Sequence, residues 1–282
     1  MQDRDLTAIV CSGGGMRSAH GAGFLYALAT KLGITNPDTM IGSSGDAGNV
    51  LYFSAGQCEG MKRIWTELLS TPRFISPLRF WRVMDINYLV DAVFKKQERL
   101  DTDALDRTSI RWFVSMEDFD TGRTRYVSAA DALDPFEVLR ATTALPIFFG
   151  AKVPIAGKRY MDGELGPILQ DHVTQALRQG VRRILVVNHT SPWTAVSRAI
   201  LKGYAAHMPQ GMHDAIIRDI STNVFAMKAP GAHVIAVAPQ NLPAGLLTRD
   251  QKKLRKTFDQ GVQDALSIEK ELRSLFSPSS AS

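Results

Sequence analysis

Residues 9–23 read "IVCSGGGMRSAHGAG": a short apolar run, three consecutive glycines at Gly13, Gly14 and Gly15, and then a small-residue stretch of helical character. A buried strand that passes through a glycine turn into a helix is the opening unit of an α/β fold. Bare backbone at such a junction leaves N–H groups at a helix N-terminus open to an anion or a developing negative charge. A phosphate loop would need G-x-x-x-x-G-K-[ST], and no lysine follows these glycines. A dinucleotide fingerprint is met only in part, because Ser18 stands where the third glycine belongs. An oxyanion hole is the remaining chemical reading, and it requires a nucleophile elsewhere in the chain. A tight strand-to-helix turn without chemistry is the plain alternative.

The rest of the chain continues the alternation. A strand is expected at residues 6–12 and a helix over 17–31, with a second short strand in "TMIGSS" and a helical stretch from about Ala47. Further strands read at "SIRWFVSME", "RTRYVSA", "RRILVVN" and "HVIAVAP". Met212, Ile216, Ile220 and Val224 recur at helical spacing, as do Leu254, Phe258, Val262 and Leu266 behind a Thr248-to-Gln251 capping box. The expectation is α/β with a mainly parallel central sheet covered by helices. With 282 residues, 45% of them hydrophobic, one domain over residues 1–276 is expected, followed by a disordered tail at 277–282.

The second strand supplies a nucleophile candidate. Gly42, Ser43, Ser44 and Gly45 fill the first four slots of G-x-S-x-G at a strand-to-helix junction, where a sharp turn lifts a serine hydroxyl above the sheet. Asp46 occupies the fifth slot in place of glycine. An anion there is expected to oppose charge developing near Ser44, so Asp46→Gly is expected to raise turnover. A helix N-cap serine is the structural alternative for Ser44.

A third segment, "RATTALPIFFGAKVPIAGKRYMDGELGPIL", carries Asp162-Gly163 after an expected strand. Together, Gly13-Gly14-Gly15-Met16-Arg17, Gly42 to Asp46 and Asp162-Gly163 resemble, in order, the motifs of the patatin-like phospholipase family. "MDINYLVDAVF", "EDFDTGRTRYVSAAD" and "FDQGVQDAL" are similar to bacterial members, so the resemblance spans about residues 6–272. It implies a three-layer α/β/α fold and a lipid acyl hydrolase with a Ser44–Asp162 dyad, in which the Gly13, Gly14 and Gly15 amides stabilise the oxyanion. Gly42, Gly45, Asp46, Gly163 and the motif arginine, Arg17, would support that site. Arg17 orients the loop or a phosphate group, or makes a structural ion pair. Glu164 is either a second carboxylate beside the base or a solvent-facing group. A carboxylate acts as a base here only if burial or neighbouring charge raises its pKa. His189, at the end of a strand, is the base of a Ser-His-Asp alternative.

Other features narrow the partners. Thirty-three Lys and Arg against 28 Asp and Glu leave +5, a mild excess that suits an anionic phospholipid surface or plain solubility; no nucleic-acid partner is expected. Two cysteines, Cys11 and Cys58, make neither a disulfide framework nor a zinc site, and no cofactor or metal is expected. No secretory signal or run of about 18 apolar residues is visible, so a cytoplasmic protein with possible peripheral membrane contact is expected. In residues 72–83, Phe74, Ile75, Leu78, Phe80 and Trp81 interleave with Arg73, Arg79 and Arg82, as in a segment that meets headgroups or packs on the core. "SPWTAVSRAILKGY" has the same character. Two rival functions stand beside the hydrolase: a catalytically weakened lipid-binding relative, suggested by Asp46, and a nucleotide-binding α/β protein, suggested by the glycines alone.

Overall fold

The computed structural model describes residues 5–80, 82–166 and 168–277. Its strands are β1 (Leu6–Ser12), β2 (Thr39–Gly42), β3 (Arg111–Asp118), β4 (Arg123–Val127), β5 (Val153–Ile155), β6 (Lys158–Met161), β7 (Val181–Asn188) and β8 (His233–Val237). They form one sheet in the order β5-β6-β3-β2-β1-β7-β8, with β4 also paired to β3. Pairings among β3, β2, β1, β7 and β8 are parallel, whereas β4, β5 and β6 join antiparallel. The helices are α1 (Ala19–Thr30), α2 (Ser44–Ser54), α3 (Cys58–Arg63), α4 (Thr102–Arg107), α5 (Pro135–Thr142), α6 (Leu169–Arg178), α7 (Ala195–Ala205), α8 (Gln210–Ser221), α9 (Gln251–Ser267) and α10 (Glu269–Phe276). Two π-helical segments, Ile64–Leu68 and Tyr88–Gln97, meet α2 through Trp65, which donates to Asn49 Oδ1, and Phe94, which packs on Tyr52.

Alternation along the central strands builds three layers. Ala8, Val10, Ile41, Ile184 and Val186 face α6 through Leu169 and Val173. Their neighbours Ile9, Cys11, Met40, Leu185 and Val187 join the larger core with Phe24 of α1 and Phe258 of α9. A strand buried on both faces reads as a continuous apolar run, and "LTAIVCS" is that pattern. The connections run from β1 through β2 to β3 towards one edge, and from β7 to β8 towards the other. Strand order therefore reverses beside β1, and a crevice opens at the carboxyl ends of β1 and β7, where open parallel sheets place their ligands.

Several local expectations shift. Helix 17–31 is replaced by a 3-10 turn over Gly15–Ser18 followed by α1, because the extended Gly14 leads into a tight first turn. The helix expected from Ala47 starts at Ser44 itself. Val224 lies beyond the end of α8. Asp250, not Thr248, caps α9: its Oδ1 accepts from Lys253 N at 3.0 Å, while Thr248 Oγ1 accepts from Gly245 N. A charged acceptor one residue before the helix wins over a hydroxyl three residues before it. Of the expected tail, Ser277 donates its N–H to Arg273 O, and residues 278–282 lie outside the described set. No helix among the described residues is long and apolar enough to cross a membrane.

Candidate active site

The sequence at the end of β2 forces an elbow. Ser43 is extended, and Ser44 has φ +48, a left-handed value that only a constrained non-glycine residue holds. The constraint is visible: Ser44 N donates to Thr142 Oγ1 at 2.9 Å, and α2 begins immediately. Ser44 Oγ donates to Asp162 Oδ2 at 2.9 Å, across 118 residues of chain. Asp162 sits just past β6, and its other oxygen, Oδ1, accepts from Glu164 N at 2.9 Å. Gly163 is required behind it, since a side chain there would overlap Ser115 O. Ser44 and Asp162 are both buried, at 4% and 1% exposure. Burial pushes the Asp162 carboxyl up to about 7, although the Glu164 N–H and the Ser44 hydroxyl pull the other way.

The glycine loop lies against this pair. A Cβ on Gly13 would be 2.7 Å from Ser44 Cβ, so a bare residue lets the loop approach Ser44. Gly13 N already has acceptors: Ser43 Oγ at 3.0 Å and Glu164 Oε2 at 2.9 Å. The expectation that all three loop amides face an incoming oxyanion is therefore changed at Gly13. Gly14 and Gly15 come at the start of the 3-10 turn, where N–H groups precede the first intrahelical acceptor. Glu164 is not solvent-facing. Its carboxylate also contacts the Ser43 hydroxyl and lies 3.4 Å from His172 Nε2. Burial alone would raise Glu164, but His172, the Ser43 hydroxyl and the Gly13 N–H outweigh it and hold the group below its ordinary range.

Two cavities meet at Ser44. One is a cleft of about 270 Å³ whose walls include Gly14, Arg17, Asp162, Glu164, Trp193 and Leu246. The other is a narrow apolar pocket under α2, lined by Met16, Trp65, Phe74, Ile86, Phe94 and Leu145. Arg17 has no carboxylate partner among the described residues, so a structural ion pair does not explain it; burial lowers its pKa. Asp219, at the cleft wall, accepts from Trp193 Nε1 at 3.2 Å and is pushed up to about 8, first by burial.

His189 is close by but oriented elsewhere. Its Nδ1 faces Asp46 Oδ2 at 2.9 Å and its Nε2 faces His20 Nδ1 at 3.0 Å, so both ring nitrogens are engaged away from Ser44. Asp46 likewise differs from its expected position. It is fully buried, with Oδ1 accepting from Asn49 Nδ2 at 2.8 Å, and its charge is directed at His189 on the far side of α2. The sequence reading missed Thr142, His172, His20 and Asp264. Thr142 was within a quoted motif, but no local pattern marks it as the acceptor for the nucleophile's own N–H. Among the described residues no cluster of three or more His, Cys, Asp or Glu is arranged to hold a metal.

The proposed headgroup segment divides. Phe74 and Ile75 are buried, whereas Leu78 and Phe80 are 82% and 80% exposed; Trp81 lies outside the described residues. Arg79 is not a free surface cation: its guanidinium donates to the carbonyls of Arg73, Phe74, Val83 and Arg82 and so knits the loop. On α7, Val196 and Ile200 are also exposed, one helical turn apart.

The uncharacterized protein YjjU of Escherichia coli (strain K12) is 29% identical over 196 residues, 64% of this chain and 51% of that protein. The chain thus spans about half the length of the curated relative it matches. Among solved structures, VipD from Legionella pneumophila aligns over 93% of this chain and 67% of its own, with a TM-score of 0.49 and 12% identity. Human GIVD cytosolic phospholipase A2, solved with a methyl gamma-linolenyl fluorophosphonate inhibitor and terbium chloride, aligns over 96% of this chain and 59% of its own, with a TM-score of 0.43 and 14% identity. A model of the patatin-like phospholipase family matches residues 9–170, more than half of the sequence and all three motif segments, and the chain belongs to that family.

Proposed function

We propose that this protein is a serine acyl hydrolase that cleaves carboxylic ester bonds of lipids, of phospholipase A or lysophospholipase type. The observation that carries the reading is the 2.9 Å hydrogen bond from the strained Ser44 to a buried Asp162 held near 7. A carboxylate with that proton affinity is far better matched to a serine hydroxyl than an ordinary aspartate. Asp162 takes the Ser44 proton as Oγ bonds to the acyl carbonyl carbon, and the carbonyl electrons move to oxygen. The Gly14 and Gly15 N–H groups face that oxyanion; in other hydrolases such a donor is worth about 3–4 kcal/mol. Collapse breaks the ester C–O bond, and Asp162 returns its proton to the leaving alcohol. Water then repeats the sequence on the acyl-serine, releases the fatty acid and restores the hydroxyl.

The two cavities divide the substrate between them. The apolar pocket under α2 suits an acyl chain, and the cleft with Arg17, Trp193 and Asp219 suits the alcohol portion. Exposed Leu78 and Phe80, together with the mild positive charge, support peripheral contact with an anionic lipid surface. The weakened lipid-binding reading keeps one observation of its own: Glu164 already occupies the Gly13 N–H. A fluorophosphonate that labels Ser44 and a release assay over phospholipids, lysophospholipids, acylglycerols and p-nitrophenyl esters decide between them. Labelling with turnover supports the hydrolase. An unlabelled Ser44 in a folded, lipid-binding protein overturns it.

A further inference from the structure

Behind the elbow helix a row of four side chains crosses the molecule, and none of them takes part in the ester chemistry proposed above. Asp46 of α2 faces His189, just past β7, at 2.9 Å. His189 faces His20 of α1 at 3.0 Å, and His20 Nε2 lies 2.7 Å from Asp264 Oδ2 of α9. The first three are buried at 0–2% exposure, and the Asp264 side chain is 35% exposed. The row therefore runs from the nucleophile helix to the surface.

Counting protons fixes its charge. Each of the three gaps in the row needs one hydrogen, and two neutral imidazoles supply only two. His189 Nδ1 must carry one of them, because it also faces the Ser12 carbonyl, a pure acceptor, at 3.2 Å. With all three contacts made, the row shares one proton more than two neutral imidazoles supply. Burial, then the neighbouring His189 ring, push His20 down to about 4 despite Asp264. The groups that face the two rings are Asp46 from α2 and Asp264 from α9; the Cys11 thiol of β1 lies near Asp46 and is pushed up by burial and by that carboxylate.

Packing around the row leaves no slack. A Cβ on Gly21 would overlap Asp46 Oδ1, and one on Gly14 would lie 2.8 Å from His189 Cβ. His189 thus backs the loop whose amides face the oxyanion. The His189 N–H donates to Ser12 Oγ at 3.0 Å, tying it to the end of β1. Asp46 is anchored from the other side by Asn49, whose Nδ2 also donates to Ser18 O at 2.9 Å. Elbow helix, glycine loop, α1 and α9 meet through these four residues.

We propose that Asp46, His189, His20 and Asp264 are positioning residues that clamp the nucleophile helix to the glycine loop, holding Ser44 and the Gly14 and Gly15 amides in reactive register. The proposal rests on the Ser44–Asp162 reading. In a site of this kind a displacement of about 1 Å costs up to about 100-fold in rate, so a distant end of the clamp is expected to register in turnover.

The test starts at Asp264, the exposed end and the one farthest along the row from Ser44. Wild type, Asp264→Ala, Asp264→Asn and Asp264→Glu are compared by the rate at which a fluorophosphonate labels Ser44, by kcat and KM on a soluble p-nitrophenyl ester, and by thermal unfolding. Asp264→Ala is expected to lower the labelling rate and kcat about tenfold with KM little changed, and Asp264→Glu to restore most of the loss. A purely structural role would lower Tm and leave labelling per folded molecule at the wild-type rate, which overturns the proposal. If Asp264→Ala does not fold, Asp264→Asn decides by the same labelling rate: a decrease supports the clamp and an unchanged rate overturns it. Wild type that is not labelled at Ser44 overturns the dyad and the clamp together, whereas a labelled wild type with unchanged variants overturns the clamp alone.

Discussion

Two buried polar clusters flank the same helix, and they are built on opposite principles. In front of α2, Asp162 has only a hydroxyl and one N–H as partners, and burial holds its proton affinity high. Behind α2, Asp46 has an imidazole and an amide, and both of its oxygens are satisfied. The front carboxylate is ready to exchange a proton; the rear one is committed to a partner. A buried acid thus becomes a base or a brace according to its partners: a hydroxyl that can give up its proton, or an imidazole and an amide that hold the carboxylate in place. Glu164, between the two extremes, sits in the site yet is held down by His172 and the Gly13 N–H.

The comparison breaks most directly at the front. Ser44→Ala and Asp162→Asn are each expected to lower kcat on a soluble ester by about 10³-fold or more, with the double variant little worse than either, because residues acting as a unit lose activity non-additively. Steady-state kinetics on all three variants checks this; independent, multiplying losses would mean the two do not act together. Behind the helix, Asp46→Gly reverses its expected sign. It strips the hydrogen-bond partner from the buried His189 ring and opens a cavity, so a loss of about 2–4 kcal/mol of stability is expected in denaturant unfolding, with no gain in turnover. A faster, equally stable variant would restore the view of Asp46 as a handicap.

Proton affinity separates the clusters again. Hydrolysis of a neutral ester is expected to rise with pH through about 7 and then level off as Asp162 ionises. Stability should run the other way. A carboxyl raised to about 7 in the fold keeps its proton where the unfolded chain, at about 4, has lost it. Its contribution is therefore full below about pH 4 and is lost as pH rises through 7. Asp162→Asn should be more stable than wild type at pH 8 and closer to it at pH 5, which urea unfolding at both values measures. The smallest expected effect lies farthest from either cluster. Phe80→Ser should weaken binding to anionic vesicles by about tenfold or less, equivalent to about 1.4 kcal/mol, with activity on a soluble ester unchanged. Equal losses on vesicles and soluble ester would give Phe80 a folding role.

Much of the front cluster was legible because it is local. The run "LTAIVCS" ended by glycines gives β1 the bounds Leu6–Ser12, and the Gly42-to-Gly45 spacing marks the turn that holds Ser44. Its partner Asp162 came from resemblance, not from any pattern that pairs residues 118 apart. The rear cluster was invisible for that reason. Asp46 and His189 are separated by 143 residues, and His20 and Asp264 by 244. Periodicity records which face of an element is buried, not which polar group meets it across the core. Arg79 shows the same limit at the surface: its spacing among aromatics suggested a headgroup contact, but its fork is spent on backbone carbonyls.

That Asp264 comes from α9, which follows Ser44, Asp162 and His189 in the chain, bears on how the protein is made. Ser44, Asp162 and His189 are all synthesised well before α9 emerges, and folding during synthesis proceeds from the N-terminus. Until α9 docks on α1, His20 Nε2 lacks its Asp264 partner and the elbow lacks its outermost tie. A nascent chain in which α9 has not yet docked would carry the proposed Ser44–Asp162 pair without its full support, so the proposed activity would be acquired only once α9 is in place.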